Sequence, residues 1–136
     1  MAGYEIHSDA SWQPSGLTGM AAIVINPTGE QKVIIARDLQ STSCRGELIA
    51  ALIGITETPI NSDVILYTDS MYVVRAIQGA KIIVNIDIST AIRKLLMIRV
   101  CTPVYVRAHS GNKLNEQADH FAKIARIQGK LIPVKF

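Results

Sequence analysis

The chain has 136 residues, 49% hydrophobic and 18% charged, enough apolar matter for one packed core, so a single domain over residues 1–136 is expected. No apolar run reaches the ~18 residues a membrane-spanning helix needs, and MAGYEIHSD lacks a basic stretch followed by an apolar one, so neither a membrane anchor nor a signal peptide is expected. A net charge of +3 permits a nucleic-acid partner without arguing for one, and Cys44 and Cys101 match no metal spacing, so both are expected as buried thiols in a cytoplasmic protein.

In chain order, Tyr4–His7 alternates as a short strand, and Asp9 of HSDASW falls at its end. Leu17–Asn26 is an apolar run stopped by Asn26-Pro27-Thr28-Gly29, and Gln31–Asp38 resumes as a strand. Three strands joined by turns predict an antiparallel meander. The period then changes. Ser43–Glu57 has apolar residues at Leu48, Ala51, Leu52 and Ile55, which is helical spacing, and Pro59 closes it. Asp63–Thr68 is nearly continuous in apolar residues and reads as a strand buried on both faces. Ser70–Gln78 and Ile86–Ile98 read as helices, and Thr102–Arg107 as a strand. Lys113–Gln128 is a helix with an apolar stripe at Leu114, Ala118, Phe121 and Ala125. The order β-β-β-α-β-α-α-β-α predicts an α/β fold with a five-stranded mixed sheet, antiparallel then parallel, flanked by helices. Residues 129–136 form an apolar tail outside that order.

Most of the eleven acidic residues fall in turns or on polar faces. Four fall where an apolar element meets an edge: Asp9, Glu47, Asp69 and Asp119. The plainer readings are specific. Asp69 would cap the helix that follows, and Glu47 would face a helix dipole from its first turn. The alternative is shared. In open α/β sheets ligands bind beyond the carboxyl ends of the strands, where Asp69 lies. If the first and fourth strands are neighbours, Asp9 and Asp69 come close, repel, and call for a cation. Hard oxygen ligands select Mg²⁺ or Mn²⁺, and two such ions about 4 Å apart are the apparatus of in-line phosphodiester hydrolysis.

Four motifs then carry a resemblance: SDAS at 8–11, GELIAAL at 46–52, YTDS at 67–70 and HSGNKLNEQADHFA at 109–122. In this order and spacing the chain resembles type 1 ribonuclease H, the small bacterial, viral or retroelement form. The resemblance implies the ribonuclease H-like fold and endonucleolytic cutting of the RNA strand of RNA/DNA hybrids. It implies two Mg²⁺ ions, with Mn²⁺ as a substitute, held by Asp9, Glu47, Asp69 and Asp119. It implies that His109 assists proton transfer or product release. It places Ala10, Ser11, Ser43, Cys44 and Met71 against the hybrid, and Thr42 and Asn85 against a DNA-strand phosphate.

The departures from the family pattern bear on the substrate. Ala10 stands where glycine is usual, Ser43-Cys44 replaces an asparagine pair, Met71 replaces a glutamine, and Gln40 replaces an arginine beside the phosphate site. A basic, tryptophan-bearing insertion common in the family is reduced here to QGAKIIVN, so affinity is expected to rest on Lys81, Arg93, Lys94 and Arg107, or on a partner. Other nucleases of the same superfamily (a junction resolvase, a transposase-like nuclease, an exonuclease) remain open, as does a non-catalytic nucleic-acid module; four converging carboxylates argue against the last. His7 and His120 read as structural. The tail IQGKLIPVKF packs on the domain, forms a homodimer or docks to a replication protein, the first being preferred.

Overall fold

The computed structural model describes residues 3–133 and 136. The elements run β1 (Gly3–Trp12), β2 (Thr18–Ile25), β3 (Gln31–Asp38), α1 (Ser43–Thr56), β4 (Asp63–Thr68), α2 (Met71–Ile77), α3 (Ile86–Leu96), β5 (Val100–Tyr105), α4 (Lys113–Gln128) and β6 (Lys130–Leu131). They form one sheet in the order β5-β4-β1-β2-β3-β6. β1, β2 and β3 are an antiparallel meander, while β4 joins β1 and β5 joins β4 in parallel.

The sheet has six strands, not five. The sixth comes from the tail: Lys130 and Leu131 pair in parallel with Ala36 and Arg37, and Ile132 N–H donates to the Arg37 carbonyl at 3.1 Å. Ile132 also packs on the core. An apolar segment after a helix carries no strand period when only two residues pair, so the sequence pattern passes over it. The pairing gives the outer edge of β3 a partner for its backbone groups.

The two faces of the sheet are covered differently. On one, α1, α2 and α3 share a core with Ile6, Met20, Ala22, Val64 and Leu66. On the other, α4 crosses β1, β2 and β3. Gly19 makes that crossing close, because a Cβ there would overlap the Ala122 carbonyl. The buried stripe of α4 is Asn115, Ala118, Ala122 and Ala125, with Leu114 and Phe121 only half-buried at its margins. Small residues line it because the helix sits so near the strands. The central strand buried on both faces is therefore β2, not β4. β4 alternates, with Val64, Leu66 and Thr68 inward and Ile65 40% exposed.

Candidate active site

β1 is longer than its alternation suggests, and Asp9 is interior to it, paired with Ala21 of β2. The parallel pairing with β4 ends at His7 and Tyr67. Two residues further along each strand stand Asp9 and Asp69, level with one another at the carboxyl edge of the parallel strands. Asp69 caps nothing: the cap of α2 is Ser70, whose hydroxyl accepts from Val73 N–H. Glu47 is the fifth residue of α1, whose first turn holds no acid, so it is not a dipole partner either. The plainer readings of both residues are thereby corrected.

Glu47 reaches β1 because Gly46 precedes it. A Cβ at Gly46 would lie 2.7 Å from Thr18 Cγ2 and 3.3 Å from Ala10 Cβ. With hydrogen there, the start of α1 settles against β1 and β2. Carboxylate oxygens of Asp9, Glu47 and Asp69 then lie within 4.8 Å of one another. Asp119, on α4, lies near enough for its charge to add to the upward push on the Asp9 carboxyl. It stands outside the group of three and is paired with Lys123 Nζ at 3.1 Å.

The electrostatics follow from that crowding. Burial, then the Asp69 charge, push the Asp9 carboxyl up to about 8, against a donated bond from Ala10 N–H at 2.9 Å. Burial, then Asp9 and Asp69, push Glu47 well above the usual carboxylate range. Like charges this close, with no cation among the three, favour holding protons or a metal. The donor set is all hard oxygen, which suits a divalent ion of the Mg²⁺ and Mn²⁺ kind. The residues therefore fit a divalent metal.

Other predicted positions lie round this cluster. Thr42 is the cap of α1 and accepts from Arg45 N–H at 3.2 Å. Ser43 and Cys44 are exposed on the following turn. Cys44 is thus not a buried thiol: the first turn of α1 faces solvent. Cys101 is partly buried, and burial pushes its thiol up to about 11. Ala10 and Ser11 continue β1, half-buried, and Met71 opens α2, 41% exposed. Asn85 precedes α3 in a left-handed conformation (φ 62°). Its Oδ1 accepts from Arg45 Nη1 at 3.4 Å and its Nδ2 donates to the Tyr72 hydroxyl at 3.4 Å. His109 is exposed on the loop after β5, also left-handed (φ 53°), at the sheet edge that carries Asp69. His7 is buried and stacked flat on Tyr67, with ring centres 4.6 Å apart.

Three features escape sequence reasoning. Trp12, unassigned in sequence, donates from Nε1 to the Ser41 carbonyl at 3.0 Å, pinning the end of β1 to the approach to α1. Arg45 pairs with both oxygens of Asp87 at 2.9 and 2.8 Å, which ties α1 to α3 across forty residues and leaves no local trace. The Asp119–Lys123 pair has an i,i+4 spacing, a signal that could have been read. A cavity of about 510 Å³ beneath Leu52, Leu95 and Phe136 is bordered by none of the four carboxylates. The acids instead sit beyond the parallel pairing of β1 and β4, with Asp9 buried and Glu47 and Asp69 partly so.

Fold and site describe an α/β domain with carboxylates that could hold a metal gathered at the carboxyl edge of its parallel strands. Residues 1–127 match the RNase H family. Ribonuclease H of Hahella chejuensis is 31% identical over 135 residues, covering 88% of this chain and 90% of that protein. That of Granulibacter bethesdensis is 32% identical over 143 residues, covering 92% and 93%. That of Methylorubrum extorquens is 29% identical over 135 residues, and there the match spans 89% of this chain but 59% of the relative's length. The chain belongs to the RNase H family.

Proposed function

We propose that the chain is an endoribonuclease that hydrolyses the RNA strand of RNA/DNA hybrids. The observation that carries this is the convergence of Asp9, Glu47 and Asp69 oxygens within 4.8 Å in a member of this family. Asp9, Glu47, Asp69 and Asp119 are the residues that would hold two Mg²⁺ ions, with Mn²⁺ as a substitute. Bound there, such ions supply activation of water and stabilisation of the leaving oxygen in an in-line displacement.

The chain's own groups do the rest in this reading. Asp9 and Glu47, protonated more readily than ordinary carboxyls, would have to be deprotonated to hold a cation. His109 projects from an exposed loop, where an imidazole can pass a proton at the leaving oxygen. Ser11 and Ser43 offer hydroxyls to the ribose 2′-OH, the group by which RNA differs from DNA. Ala10, Cys44 and Met71 supply surface rather than strong donors. Thr42 accepts from the backbone of its own helix, and its O–H remains to donate to a DNA-strand phosphate. Asn85 keeps one amide hydrogen beyond its bond to Tyr72 for the same phosphate.

No described helix is long and apolar enough to cross a membrane. We take the setting to be cytoplasmic and the tail to serve the domain itself, consistent with its pairing to β3. The test is incubation with labelled RNA/DNA hybrid, single-stranded RNA and double-stranded DNA in Mg²⁺. Only the RNA of the hybrid should be cut. An intact fold that leaves the hybrid whole refutes the reading, and one that cuts duplex DNA assigns the chain to a different nuclease activity. Asp69→Asn should abolish turnover, because an amide cannot supply the negative charge that would hold a cation; retained turnover would remove Asp69 from that role.

A further inference from the structure

Asp119 differs from the other three carboxylates in having a cation of its own. Asp9, Glu47 and Asp69 face one another, and among the described residues none of the three is ion-paired with a basic side chain. Asp119 has Lys123 Nζ 3.1 Å from its Oδ2, and lies near enough to Asp9 for its charge to act on that carboxyl. Lys123 lies one turn further along α4, so the helix itself holds the ammonium on the same face as the carboxylate. Lys123 is more than half exposed and Asp119 about one quarter, so the ammonium can swing into solvent. A divalent ion bound between Asp9 and Asp119 would take the attraction that Lys123 now has, and the two cations would repel.

We propose that Lys123 is a built-in counter-cation for Asp119, which competes with the metal at that side of the site. The inference rests on the reading of Asp119 as a ligand in the proposed function. It makes the two metal positions unequal. The position framed by Asp9, Glu47 and Asp69 fills first, with no competitor. The position reaching Asp119 fills only when Lys123 is displaced, so it is the weaker of the two. Without metal, Lys123 keeps Asp119 from adding its charge unbalanced to an already crowded carboxylate group.

The test is a titration of the metal-free chain with Mn²⁺, with free Mn²⁺ read by electron paramagnetic resonance. Wild type should show one tighter and one weaker ion. Lys123→Met keeps most of the side chain's apolar stem and removes its charge. It should tighten the weaker site roughly two- to fivefold, the range for a partly exposed ion pair, and leave the tighter site unchanged. Lys123→Arg should return the wild-type isotherm. Metal-free K123M should also melt below wild type, with a larger rise on adding Mg²⁺. Identical isotherms for wild type and K123M overturn the inference, even if the melting points differ, because the pair is then only structural. A single bound ion in both proteins overturns it as well. Two bound ions without hybrid cleavage would refute the hydrolase reading and leave the role of Lys123 standing.

Discussion

Asp9 is the residue on which charge, burial and metal meet. In an unfolded chain its carboxyl loses a proton near its ordinary 3.8; in the fold it keeps it to about 8. Between those values the folded state binds more protons than the unfolded one, so stability falls as pH rises. Glu47 is shifted the same way. His7 is shifted down by burial and acts oppositely, but only at and below its ordinary 6.5. Above that the carboxylates act alone. The metal-free protein should therefore lose melting temperature from pH 6.5 to above 8, Mg²⁺ should restore it, and Asp9→Asn should flatten the curve. A flat curve in the metal-free wild type would contradict the buried acid cluster. Cys44 offers a second check at this scale. It is exposed, whereas burial holds the Cys101 thiol up at about 11. A thiol reagent at mildly alkaline pH should label one cysteine per chain, and RNA/DNA hybrid should slow that labelling if Cys44 borders the substrate. Unchanged labelling with hybrid bound would remove Cys44 from the contact surface.

At the scale of elements, the site depends on how closely helices approach the sheet. Glu47 meets Asp9 because α1 begins against Thr18 and Ala10 with no Cβ at Gly46. Gly46→Ala adds an atom 2.7 Å from Thr18 Cγ2. Overpacking of this kind costs about 1–3 kcal/mol, more than the up to ~1 kcal/mol that alanine gains over glycine in a helix. The variant should melt lower and bind Mn²⁺ more weakly. Thr18→Ser removes the opposing methyl and keeps the hydroxyl bond to the Gly16 carbonyl, so the double variant should recover both. A double variant no better than Gly46→Ala would show that another contact sets the position of α1. The Arg45–Asp87 pair acts in the same sense, holding the start of α3, with Asn85, beside the cap of α1.

At the scale of the whole molecule, the question is how a hybrid is gripped without a basic insertion. The segment between α2 and α3 is short, and the cations offered for affinity are Lys81, Arg93, Lys94 and Arg107. Arg93 also donates to the Ala80 carbonyl at 3.2 Å. If those four contact phosphates, the logarithm of affinity should fall against the logarithm of salt with a slope of about −3 to −4, near −0.9 for each contact. Removing one of the four should shallow the slope by about one. A much steeper slope would mean that other cations contribute.

Much of this was legible in the sequence, for reasons that can be named. The meander, α1 and α4 were readable because each carries its own period, and β3 and α4 have the predicted bounds. The four acids stood out because each falls where an apolar element meets an edge. β6 was not readable, since two paired residues have no period. The burial of β4 was misjudged, since an apolar run does not say whether a helix covers its second face. Cys44 was misjudged because exposure within the first helical turn depends on what the helix packs against. The sequence by itself determined the elements and the chemical kind of the site, because periodicity and residue type are local. Only the tertiary structure decided which carboxylates converge, which one is held by Lys123, and that Ser70 rather than Asp69 caps α2. Those outcomes depend on distances between side chains brought together by strand register and helix approach, which no local pattern encodes.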